Sequence, residues 1–159
     1  GVIGTEGTVR SGAYEAALKR LSPRVEVVSR ACPAFVPLVE DGNFRSDRAL
    51  EIVADALSPL RGSKMDCLIL GCTHYPFLAD SISRVMGPEV VLINSAEETA
   101  REIYDVLKRS NELAGKDMLP IHRFFCSGDP WKFREIAREW LDEQIRLTPV
   151  VWQFPHIGV

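Results

Sequence analysis

The sequence predicts an α/β fold, a layered structure around a mainly parallel sheet, and three observations carry that expectation. Strand-like segments alternate with segments of helical periodicity along the chain. The run Cys67-Leu-Ile-Leu70 is continuously apolar between polar flanks, as expected of a parallel strand covered on both faces. Of 159 residues, 46% are hydrophobic and 26% charged, which is the composition of chains that build a core and not of disordered or coiled-coil ones.

Val2-Ile3 opens the order as a strand, followed by a helical pattern from about Thr8 to Leu21 in which Tyr14, Ala17, Leu18 and Leu21 recur at three and four residues. Ser22-Pro23 stops that helix, and the β-branched run Val25-Glu-Val-Val28 reads as the next strand. Cys32-Pro33 leads into a loop through Asp41-Gly42. Ser46 then caps a helix carrying Leu50, Val53, Ala54 and Leu57, closed by Pro59 and Gly62. After the strand Asp66–Leu70, the turn Gly71-Cys-Thr-His-Tyr-Pro76 enters a helix with Leu78, Ile82, Val85 and Met86 that ends at Gly87-Pro88. Glu89–Ile93 is a further strand. Ser95-x-x-Glu98 reads as a capping box opening a helix with Ala96, Ala100, Ile103 and Leu107. Beyond the polar connection Asn111–Pro120, Arg123–Cys126 reads as a strand, Asp129-Pro130 as the N-cap and first residue of a helix with Phe133, Ile136, Ala137, Trp140 and Leu141, and Thr148–Gln153 as a last strand.

Charge and patterning exclude several functions. Nineteen Lys and Arg against 22 Asp and Glu give a net charge of −3 and a pI near 5.7, so the surplus of cations that phosphate backbones require is absent and nucleic acid is not an expected partner. No apolar run approaches the roughly 20 residues that cross a bilayer, and no secretory pattern opens the sequence; a soluble, cytoplasmic protein is expected. The four cysteines, Cys32, Cys67, Cys72 and Cys126, are read as reduced thiols. Cys67 and Cys72 lie five residues apart near one strand, which sends their side chains to opposite faces, so they are not expected to share a metal. Cys32, Cys126, His122 and His156 read as structural, Lys19, Arg20 and Arg24 as a solvated face, and Trp131 and Trp140 as core. Neither a Walker loop nor a dinucleotide fingerprint occurs, so no nucleotide cofactor is expected.

Ligands of open parallel sheets sit beyond the carboxyl ends of the strands. Two turns qualify: Gly4-Thr5-Glu-Gly-Thr8 after the first strand and Gly71-Cys72-Thr73-His74 after the third. Cys72 stands at a strand end and a helix start, where free backbone amides favour an anion, which suits an acid, base or nucleophile. The bland alternative is a small buried hydrophobe. His74 could orient or protonate a reacting group beside Cys72, or merely cap a helix; no third group to orient its imidazole is evident. Thr5, Thr8 and Ser11 offer hydroxyls next to helix amides, a cradle for a carboxylate or phosphate, or capping alone.

Gly71-Cys-Thr-His-Tyr-Pro76, preceded by Leu68-Ile-Leu70, resembles the second cysteine motif of bacterial glutamate racemases. Gly4-Thr5-x-x-Thr8-x-x-Ser11-x-x-Tyr14 resembles that family's substrate-binding turn, and Ala31-Cys-Pro-x-Phe-Val-Pro-Leu-Val-Glu40 and Ser95-Ala-Glu-Glu-Thr99 are similar to its sequences as well. His74 matters within the superfamily, because aspartate racemases tend to have Glu there. The resemblance implies a cofactor-free, metal-free isomerase that interconverts L- and D-glutamate for peptidoglycan, with two cysteines on opposite faces of the substrate. Cys72 would be one of them, Thr73 and His74 would contact substrate and assist it, and Thr5 and Thr8 would bind a substrate carboxylate. It also implies a homodimer for the full-length protein.

The sequence departs from that family in one respect: the Asp-Ser-Gly turn and the Cys-Asn-Thr segment that carry the family's first cysteine do not occur, and Cys32, followed by Pro33 and Ala34, does not match. Together with the strand that opens the chain, this suggests a fragment that is inactive alone. Residues 1–94 would be most of the family's second domain and residues 95–159 the segment that returns to the first, leaving Phe133, Ile136 and Trp140 exposed. Two other readings compete: a non-catalytic carboxylate-binding module associated with a partner chain, favoured by a start codon just before Gly1, and a thiol hydrolase built on Cys72 and His74.

Overall fold

A computed structural model describes the chain except Lys116, Pro120, residues 142–146, Phe154, Pro155 and Val159; for Glu139, Trp140, Trp152, Gln153 and residues 156–158 it describes the backbone alone. It divides into two compact units, Gly1–Leu113 and Ala114–Val159. The division expected at 94/95 concerns which domain of a longer racemase each part would belong to, and it stays a proposal.

The first unit is a four-stranded parallel sheet in the order β2-β1-β3-β4, with β1 Val2–Gly4, β2 Ser29–Ala31, β3 Cys67–Leu70 and β4 Val91–Asn94. Every residue of β1 is buried, as befits a strand with neighbours on both edges. Helices α3 Phe35–Glu40, α4 Asp47–Leu57 and α5 Ala79–Met86 contribute to the core, which joins Ile3, Phe35, Val53, Leu57, Leu68, Leu70, Tyr75 and Ile82. By contrast α1 Glu6–Ser11, α2 Ala13–Leu21 and α6 Ser95–Arg109 contain no fully buried residue. Coverage of β3 is therefore unequal: Leu68 and Leu70 are fully buried while Cys67 and Ile69 are half-buried, where the apolar run predicted burial on both faces. A groove of about 510 Å³ opens beside Ile69, lined also by Leu18, Val25, Val27, Cys67 and Ile93.

Several elements differ from expectation. The single helix over 8–21 is two, because Gly12 adopts φ 63°, the left-handed region that glycine enters without steric cost, and ends α1 before α2 begins. The strand expected at 25–28 pairs only at Ser29–Ala31, since the register sets Val2 opposite Ser29; the carbonyl of Val28 still accepts from the amide of Val2 at 2.9 Å. The expected loop after Cys32 contains α3, whose Phe35, Leu38 and Val39 are buried. The N-cap of α6 is Asn94 and not Ser95: Asn94 Oδ1 accepts from the amide of Ala96 at 3.0 Å, while Ser95 Oγ donates to the carbonyl of Leu70 at 2.8 Å. Ser46 caps α4 as its spacing predicts, accepting from the amide of Ala49 at 3.1 Å.

In the second unit, β5 Phe124–Cys126 pairs in parallel with β6 Leu147–Pro149, with α7 Pro130–Leu141 between them in sequence. Asp129 caps α7, its Oδ1 accepting from the amide of Trp131 at 2.8 Å. The single last strand is replaced by β6 and by an antiparallel pair, β7 Val151–Gln153 with β8 His156–Gly158. Trp131 is exposed, contrary to a core role, and Cys126 is only half-buried, whereas Phe133 and Ile136, expected to be exposed, are half-buried. The side chains of Trp140 and His156 lie outside the described residues. No helix among the described residues is long and apolar enough to cross a membrane.

Candidate active site

The two turns singled out by the sequence are neighbours because β1 and β3 are adjacent and parallel, so their carboxyl ends open on the same edge. The amide of Gly71 donates to the carbonyl of Ile3 at 2.8 Å, which carries the ladder one residue beyond β3. Both glycines are required by closeness. A Cβ on Gly71 would lie 2.9 Å from the Ile3 carbonyl oxygen and 3.1 Å from the Tyr14 ring, and one on Gly4 would lie 2.9 Å from Thr8 Cγ2.

Thr5 is the N-cap of α1. Its Oγ1 accepts from the amide of Thr8 at 3.4 Å and pairs with Thr8 Oγ1 at 3.0 Å, so two half-buried hydroxyls stand together at a helix start. Ser11, the third hydroxyl of the spacing, turns back instead: its Oγ donates to the carbonyl of Thr8 at 2.7 Å.

On the second turn, Cys72 Sγ lies 3.9 Å and Thr73 Oγ1 3.4 Å from Nδ1 of His74. Cys72 and His74 are half-buried and Thr73 is exposed. The other ring nitrogen, Nε2, lies 3.4 Å from Oε1 of Glu40. A carboxylate at Nε2 favours the tautomer that carries its proton there, which leaves the Nδ1 lone pair for the thiol of Cys72 or the hydroxyl of Thr73. Glu40 is thus the third group that the sequence did not reveal. It belongs to α3, read as loop, and stands 34 positions from His74, so no local spacing betrays it.

The remaining cysteines are placed differently. Cys32 is buried, and its thiol is pushed up to about 11 by that burial, which outweighs the opposing charge of Arg30. Cys67 opens β3, at the far end of the strand from the Cys72 turn. Among the described residues no cluster of three or more His, Cys, Asp or Glu could hold a metal ion. The groove beside Ile69 includes none of Thr5, Thr8, Cys72, Thr73 and His74.

The structure is a parallel α/β unit that brings a thiol and an imidazole at one strand end beside paired hydroxyls at the next. The chain belongs to the Asp/Glu/Hydantoin racemase family, which matches residues 1–103. It is 50% identical over 145 residues to a glutamate racemase of Bacillus cereus, covering 91% of this chain and 54% of that protein. It is likewise 50% identical over 142 residues to a glutamate racemase of Listeria monocytogenes, covering 89% of this chain and 53% of that protein. Among solved structures, glutamate racemase RacE1 of Bacillus anthracis superposes with a TM-score of 0.87 at 41% identity, over 97% of this chain and 57% of that one. The Francisella tularensis glutamate racemase in complex with D-glutamate gives 0.84 at 28% identity, over 97% of this chain and 57% of that one. The chain spans about half the length of the curated relatives it matches.

Proposed function

We propose that this chain is the part of a cofactor-independent glutamate racemase that carries one of its two acid/base thiols. The observation that supports it best is the line Cys72, His74, Glu40 at a strand end beside the paired hydroxyls of Thr5 and Thr8. Inverting an α-carbon without a cofactor takes a base on one face and an acid on the other. In one direction the Cys72 thiolate takes the α-proton; in the other its thiol returns a proton, the electron pair of the C–H bond passing through the α-carbanion. His74 Nδ1 receives the Cys72 proton between turnovers, held to that task by Glu40. Thr5 and Thr8 bind a substrate carboxylate, and Thr73 and His74 contact the substrate.

The opposite face needs a second thiol, and Cys32 does not suit it, being buried and held protonated. The 159 residues are therefore expected to be inactive alone. A glutamate substrate, a role in peptidoglycan supply, a cytoplasmic location and a homodimeric full-length protein with no nucleic-acid partner accompany this reading. So does the division into residues 1–94 of a second domain and 95–159 returning to a first.

The test is α-proton exchange into D₂O from L- and D-glutamate, by this chain and by the chain extended upstream from its own gene. Exchange only in the extended protein, lost in Cys72→Ala, is the expected result. Exchange by the 159 residues alone would overturn the claim of inactivity, and none in either would overturn the racemase reading.

The contact between His74 and Glu40 also favours a second reading, a thiol hydrolase, because it supplies the orienting group such an enzyme needs. A covalent adduct on Cys72 with a substrate-like acyl compound would favour the hydrolase.

A further inference from the structure

We propose that Tyr75 is the positioning residue of this site: its hydroxyl, through the carbonyl of Cys32, holds the turn bearing Cys72 and His74 against the helix bearing Glu40. The inference deepens the racemase reading and rests on it for its meaning, although the geometry stands by itself.

Tyr75 is wholly buried, its ring edge-on to Phe35 with centroids 5.1 Å apart. Phenylalanine would fill that space without a polar group to satisfy, so the hydroxyl calls for an account of its own. It donates to the carbonyl of Cys32 at 2.9 Å. That oxygen also accepts from the amide of Phe35 at 3.1 Å, the first residue of α3, and the amide of Cys32 donates to the carbonyl of Gly4 at 2.9 Å. Cys32 is thereby tied to three pieces of the site: the Thr5 turn, the start of α3 and the His74 turn. On the other side, the amide of Tyr75 donates to the carbonyl of Cys72 at 3.1 Å.

The contacts close a ring. From Cys72 they pass to Tyr75, to Cys32, to Phe35, along α3 to Glu40, to His74 and back to Cys72. Glu40 and His74 meet at 3.4 Å from separate elements, a half-exposed contact of the kind that contributes little by itself. Such a contact holds its geometry only if both elements are fixed, and the buried tether is what fixes them.

The experiment compares the 159-residue chain with Tyr75→Phe, Glu40→Gln and the double variant. The rate of Cys72 alkylation by iodoacetamide is followed by peptide mass spectrometry, and amide hydrogen exchange by the same method. Tyr75→Phe keeps the ring and leaves the Cys32 carbonyl its bond from Phe35, so the fold should survive. Losing one buried hydrogen bond should change the Cys72 rate roughly threefold or more, with faster exchange confined to α3 and residues 72–75. Adding Glu40→Gln should then change the rate no further, because both substitutions act on one contact. An unchanged Cys72 rate in Tyr75→Phe, effects that simply add, or exchange that rises uniformly over the sheet would each overturn the proposal. Neither readout involves glutamate or its racemisation, so a failure here and a failure of the racemase reading are distinguishable.

Discussion

The ring of Tyr14 lies against Gly71, leaving no room for a side chain between α2 and the turn that carries Cys72. The more serious obstacle is on the other side, where the Ile3 carbonyl oxygen would be 2.9 Å from any Cβ and belongs to the central strand. Gly71→Ala is therefore expected to destabilise the chain by about 1–3 kcal/mol, the usual cost of forced overpacking. Thermal melting checks this. Combining it with Tyr14→Ala should recover only part of the loss, because the carbonyl contact remains.

At the neighbouring turn, Thr5→Ala removes the N-cap of α1 and the hydroxyl partner of Thr8. A loss of about 1 kcal/mol is expected, with Thr5→Ser close to the parent. Chemical denaturation of the three proteins side by side measures it.

Asn94 and Ser95 make separable predictions, since one caps α6 and the other reaches the carbonyl of Leu70. Asn94→Ala should cost about 1 kcal/mol through the cap and speed hydrogen exchange in the first turn of α6. Ser95→Ala should instead speed exchange around Leu70–Gly71. The reverse pattern would restore the capping-box reading.

Burial of the Cys32 thiol sets a pH dependence. Its value rises from 9.0 to about 11 on folding, so between those values the folded state holds a proton that the unfolded state has released. The unfolded state then binds fewer protons, and stability, full below pH 9, falls as pH rises towards 11. Cys32→Ala should make that decline shallower. Denaturant melts at pH 8, 9, 10 and 11 test it.

Apolar side chains stand exposed on α6, at Ile103, Tyr104 and Val106, and in the second unit at Leu119, Ile121, Trp131 and Val151. Concentration-dependent self-association in sedimentation velocity is expected at micromolar protein. A compact monomer at every concentration would contradict it.

What the sequence made legible was what depends on neighbours a few residues away. The apolar run of β3, the periodicity of α4 and α5, the Ser46 and Asp129 caps and the turn bearing Cys72 and His74 are of this kind. Helix α3 was hidden because it is six residues long and holds Pro37, with Pro33 and Gly42 at its margins, so its punctuation outweighs its three buried residues. Glu40 was lost with it. The true position of β2 followed from register with β1, which a β-branched run at 25–28 cannot disclose. Gly12 was readable as a residue but not as a break, since glycine within a helical pattern signals either.

The placement of β1 between β2 and β3 bears on how the chain is made. Its two partners, Ser29–Ala31 and Cys67–Leu70, both follow it in sequence, so on the ribosome this interior strand emerges before either of its neighbours. Parallel pairing cannot be seeded by a hairpin, and each edge of β1 must wait for a crossover to be synthesised and brought back. Until Leu68–Leu70 arrives, the apolar strand β1 keeps one edge without a partner, and an exposed apolar edge of that kind is what a chaperone holds during synthesis.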